Sequence, residues 1–589
     1  MKLILNYLKN YKKIFLLNVI SVFGFALVEL GIPTIVARMI DQGISNQDTA
    51  YIWKMGGVIL VISLVGVTGT ILLGYCCAYL STSVVRDLRN DIFRKTQTFS
   101  HSEFNRFGTS SLITRTNNDA FQIQMFMNIL LRTALMTPVM IASSIILVLK
   151  ASLRLSMVIL ATIPLIILGV IIVAKISESI SENQQNSLEW INRISRENLS
   201  GIRVIRAFTN DNYEKKRFDE ANLSYMKYSK RLFKLMSVTQ PIFFLLMNLA
   251  GMLIYWLSSI LINQNSLQVG QLVAFMDYLF HVMFSIMLFC LVFMMYPKAQ
   301  VSARRITKVL KTTPSIPTRI PGQKDGTESG NADSSDLDKI DIKEVRFEHV
   351  TFVYPDGEEA VLKDVSFAVK RGETIAFIGS TGSGKSTLIN LVPRAYDVTE
   401  GSVLINGEDI RKLPSQELRQ SIGFIPQKAM LFGGTIAENI RYGKKDASME
   451  EVAHAAKVAQ AYDFIMEKGG FEELITENAT NVSGGQRQRL SIARALVRRP
   501  DVYIFDDSFS ALDFKTDAKL RRELRKETKE AIVMIVAQRI SSIVDADRIV
   551  VLNEGSVVGI GTHQELMKDC QIYREIALSQ LSEEELANA

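Results

Sequence analysis

The stretch Thr374-Ile-Ala-Phe-Ile-Gly-Ser-Thr-Gly-Ser-Gly-Lys-Ser-Thr387 joins an apolar, strand-like run to a glycine-rich loop. Glycines let successive backbone N–H groups turn toward a polyphosphate without a Cβ in the way. Lys385 is expected to reach the β- and γ-phosphates, and Ser386 to ligate Mg²⁺. A Gly/Ser surface loop is the alternative, but a strand precedes the loop and a helical pattern follows it. The predicted nucleotide-binding residues here are Gly379, Ser380, Thr381, Gly382, Ser383, Gly384, Lys385, Ser386 and Thr387.

A second carboxylate site lies downstream, where the apolar run Val502-Tyr-Ile-Phe505 ends in Asp506. Asp506 is expected to hold the Mg²⁺ that bridges the phosphates. Between the two strands, Ser483-Gly-Gly-Gln486 opens an amphipathic helical pattern and forms a second anion-binding helix start. One triphosphate needs only one such cradle. The second cradle is therefore predicted to serve a nucleotide that is held by another copy.

These motifs resemble the nucleotide-binding domain of an ATP-binding cassette (ABC) transporter. The matching set is Tyr354, the 379–386 loop, Gln427 in Ile-Pro-Gln, Ser483, Gly484, Gly485 and Gln486, Asp506, and Ser510-Ala-Leu-Asp513. The resemblance implies ATP and Mg²⁺ as cofactors, with Ser386, Gln427 and Asp506 at the metal and Tyr354 stacked on the adenine. It also implies a head-to-tail dimer, in which each ATP lies between one domain's phosphate loop and the other's Ser-Gly-Gly-Gln.

The first half of the chain has the composition of a membrane protein. The 589 residues are 48% hydrophobic, and six apolar stretches before residue 300 are long enough to cross a bilayer. The net charge of +7 does not require a nucleic-acid partner, because the cations concentrate between hydrophobic stretches. We therefore predict an all-α six-helix transmembrane domain (1–311), a linker (312–340) and an α/β phosphate-loop domain (341–589). The predicted spans are 14–37, 55–80, 127–149, 155–176, 240–262 and 271–296.

Charge between the spans sets the predicted orientation in the cell membrane. The segments 82–126 and 177–239 are rich in Lys and Arg and are predicted to be cytoplasmic, together with the nucleotide-binding domain. Both keep helical periodicity, which would carry helices roughly 40 Å beyond the membrane. Their tips at 100–107 and 208–214 resemble the coupling helices by which exporters of this family contact their ATPase domains. Solvated helices without a coupling role are the alternative.

Two positions depart from the family pattern at the γ-phosphate. The family has Glu, the base that activates water, where this chain has Asp507, and a switch His where it has Gln538. Asp withdraws the carboxylate by roughly 1–1.5 Å, and Gln cannot carry charge toward the phosphoryl group. We assign Asp507 as an impaired base, Gln538 as the switch residue and Gln427 as a third catalytic position. With the intact Ser483–Gln486 motif, this resembles the degenerate-site half of heterodimeric ABC exporters, so a different half-transporter chain is the expected partner.

The transported compound is poorly specified by the sequence. Four ionisable residues lie within predicted spans: Glu29, Arg132, Asp277 and His281. Each is a candidate functional group, although location at a span end or pairing with another explains them equally well. The sixth span is rich in Met and aromatic residues, which suits amphiphilic substrates but also lipid-facing packing. An ATP-gated membrane sensor or channel regulator of ABC type is the rival function.

Overall fold

The computed structural model describes residues 2–264, 266–316 and 339–580. Most of the predicted linker, 317–338, lies outside the described residues. The chain divides into two compact units. One comprises Met1–Gln97 and Thr109–Thr312, and the other comprises Thr98–Gly108 and the chain from Thr313 onward. Each unit is described by itself.

Helices make up the described part of the chain before residue 312. They are α1 (Lys2–Leu8), α2 (Lys12–Arg38), α3 (Thr49–Gln97), α4 (His101–Phe107), α5 (Thr109–Thr114), α6 (Ala120–Ile129), α7 (Leu135–Ala151), α8 (Leu153–Ala207), α9 (Asp211–Asn263) and α10 (Val269–Lys311). Short π-helical turns at Met39–Ile44, Arg115–Asp119 and Leu130–Ala134 continue the neighbouring helices.

The six predicted spans are confirmed within the described residues. The helices that are long and apolar enough to cross a membrane are Leu3–Ile44, Thr49–Gln97, Thr109–Ala151, Leu153–Ala207, Asp211–Asn263 and Val269–Phe289. At 1.5 Å per residue, the 55-residue α8 is about 80 Å long, against a hydrocarbon core of about 30 Å. Helix α8, and the 53-residue α9 that follows it, are therefore longer than a span requires, and their predicted cytoplasmic projection stays a prediction.

Helix packing in this unit uses glycine where two backbones meet. The Cβ built on Gly69 would lie 3.3 Å from the Cα of Gly24, so α2 and α3 approach closely at this point. The buried core gathers side chains of α2, α7, α8, α9 and α10, with Leu30, Ile254 and Phe275 at or below 3% exposure.

The second unit contains twelve strands among its described residues. They are β1 (Glu344–Phe352), β2 (Leu362–Lys370), β3 (Thr374–Gly379), β4 (Glu400–Ile405), β5 (Glu408–Asp409), β6 (Ile422–Ile425), β7 (Gly434–Thr435), β8 (Leu474–Ile475), β9 (Val502–Asp506), β10 (Ile532–Val536), β11 (Arg548–Asn553) and β12 (Ser556–Gly561).

Its helices after residue 380 are short. They are α11 (Lys385–Leu391), α12 (Ser415–Gln420), α13 (Ile436–Arg441), α14 (Met449–Val458), α15 (Tyr462–Glu467), α16 (Gly484–Leu496), α17 (Phe514–Glu527), α18 (His563–Asp569) and α19 (Gln571–Leu578). Helices α11 to α17 lie between strands, and α18 and α19 follow the last strand.

The strand order explains where a nucleotide site can form. The main sheet has the order β12-β11-β3-β10-β9-β6, with β11, β3, β10, β9 and β6 parallel. Val536 of β10 pairs with Phe377 on one side and with Asp506 on the other. The carboxyl ends of β3, β10 and β9 therefore meet at one edge, which is where α/β sheets bind ligands.

An antiparallel sheet of order β2-β1-β4-β5 accompanies the main sheet. The predicted α/β class is confirmed, and this second sheet is an addition that the alternation of strand and helix did not predict. Its strands alternate buried and exposed positions, and Phe347 stacks on Phe367 at 4.6 Å between ring centroids. The two sheets share a core in which Val345, Phe377 and Leu388 are fully buried.

Candidate nucleotide site

The loop after β3 has the backbone that a phosphate cradle requires. Gly379, Gly382 and Gly384 have φ values of +155°, +86° and +95°. A Cβ on Gly379 would lie 2.1 Å from the carbonyl oxygen of Leu552, so only glycine fits there. No heavy atom lies within 4 Å of a Cβ built on Gly382, so this part of the loop opens onto free space where a phosphate could approach.

Lys385 and Ser386 lie at the start of α11, where the loop ends. The Lys385 Nζ donates to the carbonyl oxygens of Gly379 at 2.9 Å and Ser380 at 2.7 Å. Burial lowers the pKa of the Lys385 ammonium, and the nearby carboxylates of Asp507 and Asp506 oppose that shift. The ammonium is therefore held at the mouth of the loop, within the cradle formed by its backbone.

Two of the three predicted metal ligands, Ser386 and Asp506, are in direct contact. The Ser386 hydroxyl donates to Asp506 Oδ1 at 2.8 Å, and Asp506 is only 7% exposed. Burial raises the pKa of the Asp506 carboxyl, and the Ser386 hydrogen bond opposes this. No cluster of three or more His, Cys, Asp or Glu that could hold a metal occurs among the described residues. One hydroxyl and one carboxylate suit Mg²⁺, which completes its shell with nucleotide phosphates and water.

Tyr354 lies beside the same loop. Its hydroxyl hydrogen-bonds the Thr387 hydroxyl at 2.9 Å, and its ring meets that of Tyr396 edge-on, with 5.3 Å between centroids. The structure thus brings Tyr354 to the last residue of the predicted loop. Its stacking on adenine remains a prediction.

Asp507 accepts hydrogen bonds from both glutamines that the sequence marks. Gln538 Nε2 donates to Asp507 Oδ2 at 2.8 Å, and Gln427 Nε2 donates to the same oxygen at 3.1 Å. Burial raises the pKa of the Asp507 carboxyl, while the Gln427 bond opposes that shift. A carboxylate oxygen that already accepts two amide hydrogen bonds has less capacity to accept a proton from water. The three assigned catalytic residues therefore form one hydrogen-bonded group.

The backbone at Asp507 also favours this residue type. Its φ is +47°, in the left-handed region, where Asp is tolerated better than residues with longer side chains. Asp507 N–H donates to the Val536 carbonyl at 2.9 Å, which fixes the turn after β9 against the end of β10.

Sequence reasoning missed one residue that holds the switch segment. The Gln580 Nε2 donates to the Gln538 carbonyl oxygen at 2.8 Å, and its Oε1 accepts from Ile540 N–H at 2.9 Å. One side chain thus brackets the backbone on both sides of Arg539. No motif marks Gln580, and only the packing of α19 against the domain core brings it to the switch.

The Ser-Gly-Gly-Gln motif forms a well-capped helix start at the surface. Ser483 Oγ accepts from Gln486 N–H at 3.3 Å, and Gln486 Oε1 accepts from Ser483 N–H at 3.0 Å. This reciprocal pair is a capping box for the 13-residue α16. Ser483 and Gly484 are exposed. No described hydrogen bond joins residues 483–486 to the loop at 379–387.

The first predicted coupling segment groups with the nucleotide-binding unit. Helix α4 begins with a Ser100–Glu103 capping box. The Asn105 Nδ2 donates to the Tyr396 hydroxyl at 3.4 Å, and the His101 ring lies 5.9 Å from the Tyr396 ring. Because Tyr396 also meets Tyr354, a continuous set of contacts runs from α4 to the phosphate loop.

The second predicted coupling segment lies at the turn between α8 and α9, in the helical unit. Phe208 and Tyr213 are 77% and 62% exposed there.

The four ionisable residues of the spans differ in whether they have a polar partner. Glu29 and His281 approach to 3.5 Å, whereas Arg132 and Asp277 have no hydrogen bond or ion pair in the described part of the chain.

Comparison with known proteins agrees with this geometry. Residues 15–287 match the ABC transporter transmembrane region, and residues 362–510 match the ABC transporter family. The chain is 37% identical over 581 residues to the uncharacterized ABC transporter ATP-binding protein YfiB of Bacillus subtilis, covering 98% of each chain.

Other relatives carry more specific descriptions. The chain is 31% identical to the putative multidrug export ATP-binding/permease protein YgaD of Bacillus subtilis, covering 96% of this chain and 97% of that one. It is 28% identical to the ATP-dependent lipid A-core flippase of Vibrio parahaemolyticus, covering 98% and 97%.

A membrane-spanning helical unit fused to a phosphate-loop ATPase defines an ATP-driven membrane transporter. The chain belongs to the ABC transporter family, in its exporter class with one transmembrane region and one ATPase domain. It is a multi-pass membrane protein whose ATP-binding domain is cytoplasmic. The ABC ATPase domain binds ATP, normally with Mg²⁺, and couples ATP hydrolysis to transport.

Proposed function

We propose that the chain is one subunit of a heterodimeric ABC exporter. In this assembly its own site holds ATP and hydrolyses it slowly, and its Ser483–Gln486 motif completes the competent site of a different half-transporter. The observation that carries the proposal is the Asp507 group, in which both Gln427 and Gln538 donate to Oδ2. The catalytic water would have to compete with two amide donors for Oδ2 of a carboxylate that is one methylene shorter than that of Glu.

The phosphate-binding and metal-binding parts support retention of ATP. The glycine backbone, the Lys385 ammonium and the Ser386–Asp506 pair fit a triphosphate with Mg²⁺. When bound, the metal would neutralise charge on the phosphates. Loss of the base lowers the hydrolysis rate without removing any of these binding groups, because general-base catalysis acts on the chemical step.

Two exposed elements support the proposal that a partner chain binds this one. The capped Ser483 and Gly484 face solvent, and Phe208 and Tyr213 expose aromatic rings at the second coupling segment. An ABC half-transporter with Glu and His at the positions of Asp507 and Gln538 would bury both elements and supply the working base. The adjacent reading frame is the first place to search for it.

Amphiphilic compounds are the proposed substrates. The span of α10 carries polarizable and aromatic side chains, including Met276, Phe280, Met283 and Phe284. The names of two relatives, a putative multidrug export protein and a lipid A-core flippase, are consistent with amphiphilic cargo.

The rival function is an ATP-gated sensor or channel regulator, which would use the same ATP sandwich without pumping. Inside-out vesicles that contain both chains separate the two. An exporter accumulates an amphiphilic fluorescent dye only with hydrolysable ATP, and the same vesicles with Lys385→Ala and the partner's equivalent substitution serve as control. ATP-dependent ion conductance without dye accumulation would favour the regulator. Full turnover by this chain purified alone would contradict the heterodimer.

A further inference from the structure

The chain just after α19 returns to the switch segment, residues 538–540, from a distant part of the sequence. The Gln580 side chain donates to the Gln538 carbonyl oxygen at 2.8 Å and accepts from Ile540 N–H at 2.9 Å. Among the described residues, no main-chain group hydrogen-bonds either of these two atoms. One side-chain amide therefore gives the segment the donor and the acceptor that a neighbouring strand would otherwise supply.

Burial makes this contact important for the backbone of the switch segment. Ile540 has an exposed fraction of 0%, and a buried N–H that loses its acceptor is destabilised. Gln580 itself is exposed, whereas Tyr573 and Ala577 pack α19 into the same buried core as Ile540. Helix α19 thus packs through residues other than Gln580, and a substitution at Gln580 removes the two hydrogen bonds without removing a core side chain.

The peptide groups that Gln580 bonds lie on either side of Arg539, which faces two buried carboxyls. Burial raises the pKa of the Asp507 and Asp517 carboxyls, and the Arg539 guanidinium is among the charges that oppose the rise at both. Gln538, the residue before Arg539, donates to Asp507 Oδ2 at 2.8 Å. Two of the side chains that act on Asp507 therefore extend from the backbone that Gln580 holds.

The chain just beyond the switch segment has an anchor of its own. Arg521 of α17 donates its Nη1 to the Ser541 carbonyl oxygen at 2.7 Å, and its Nη2 lies 3.0 Å from Asp517 Oδ2. Ile543 N–H also donates to the Ile540 carbonyl oxygen at 2.9 Å. Loss of the Gln580 contact should therefore loosen the segment at Gln538 and leave Ser541 in place.

We propose that Gln580 is a positioning residue for the nucleotide site, which holds Gln538 and Arg539 in place beside the Asp507 carboxylate. It acts through the backbone of the switch segment rather than by contact with ATP. The inference rests on the proposed function, because it concerns the site that is proposed to retain ATP. It adds to that site a residue from outside every nucleotide-binding motif.

Hydrogen exchange followed by mass spectrometry tests the contact itself, on the full-length chain purified in lipid nanodiscs with any co-purifying subunit. Gln580→Ala removes both hydrogen bonds, and we expect the amides of residues 538–540 to exchange at least about threefold faster than in wild type. Gln571→Ala is the matched control. Gln571 is an exposed glutamine of α19 that donates to Glu575 on the same helix, so its loss should leave exchange at 538–540 unchanged.

Steady-state kinetics test whether the contact serves the nucleotide site. The background carries Asp507→Glu and Gln538→His, and the partner lacks its own base. Adding Gln580→Ala should lower kcat about threefold to tenfold and leave KM for ATP within about twofold, because the phosphate loop is untouched. Gln580→Glu keeps an acceptor for Ile540 N–H but sets a carboxylate against the carbonyl oxygen of residue 538, so it should also lower kcat. Gln571→Ala should change neither constant.

Two outcomes would overturn the proposal. They are unchanged exchange at 538–540 in Gln580→Ala, and a kcat that Gln580→Ala lowers no further than Gln571→Ala does. If the background hydrolyses no ATP even with Gln580 present, the proposed function fails instead. Release of bound radiolabelled ATP from the otherwise wild-type chain then decides the role of Gln580. Faster release in Gln580→Ala supports positioning, and equal release refutes it.

Discussion

The ATPase domain has two phosphate-facing elements, and they differ in how closely they follow the family pattern. At the first, Asp507 and Gln538 stand where the resemblance leads us to expect Glu and His, and Gln538 donates to Asp507 Oδ2 at 2.8 Å. At the second, Ser483 and Gln486 form an intact capping box at the surface. Under the proposed function, the departures are confined to the site that this chain builds for its own nucleotide, and the second element serves a working site on the partner.

Restoring the first element should have the largest effect. With the partner's base removed, Asp507→Glu together with Gln538→His should raise ATP hydrolysis on the order of a hundredfold above a background near zero. Glu returns the carboxylate to its water, and His can carry charge toward the phosphoryl group. ATPase assays of the purified heterodimer measure this.

The two single substitutions are the controls for that experiment, and neither alone should restore ATP hydrolysis. Asp507→Glu alone keeps Gln538 as a competing donor, and the positive φ at this position makes Glu less favourable than Asp. Recovery by either single variant would locate the defect at one residue instead of the pair.

Disabling the second element should have the next largest effect. Ser483→Ala removes a hydroxyl that is expected to contact the γ-phosphate in the partner's site, and we expect the heterodimer's ATPase rate to fall by about tenfold or more. Because Ser483 also caps α16, Ser483→Thr is the matched control, since it keeps the cap. Unchanged activity in Ser483→Ala would show that the motif does not face a working site.

A smaller effect is expected at Tyr354, where the adenine of ATP is predicted to stack. Tyr354→Ala removes the ring expected to stack on adenine, and should weaken ATP occupancy of this chain's site about threefold to tenfold, with maximal turnover less affected. Tyr354→Phe loses the bond to Thr387 but keeps the ring, so it should retain most of the affinity. A fluorescent ATP analogue measures both, and equal affinity in Tyr354→Ala would remove this residue from the pocket.

The parts of this structure that sequence predicts best depend on short stretches. Six spans and the 379–387 loop are recognisable because apolar length and glycine spacing are local properties. Asp506 was predicted at a strand end for the same reason, and Ser386 contacts it at 2.8 Å.

Contacts between distant segments could not be predicted in this way. Gln427, Asp507 and Gln538 were each marked, but their convergence on one oxygen depends on the order of β6, β9 and β10 in the sheet. Gln580 carries no signal, because its role arises from where α19 ends. The antiparallel sheet was missed because β1 pairs with β4, which lies beyond β2, β3 and α11 in the chain.

The most direct test of the central claim is the steady-state ATPase rate of the heterodimer that carries Asp507→Ala alone. If turnover runs through the partner's site, removing this carboxylate should leave the rate within about twofold of wild type, because the glycine loop, Lys385 and the Ser386 contact that retain ATP are untouched. ATP binding and subunit assembly, measured on the same sample, establish that the variant is intact. A large loss of turnover with ATP binding and assembly preserved would mean that Asp507 is a functioning base. It would contradict the proposal that ATP hydrolysis runs through the partner's site.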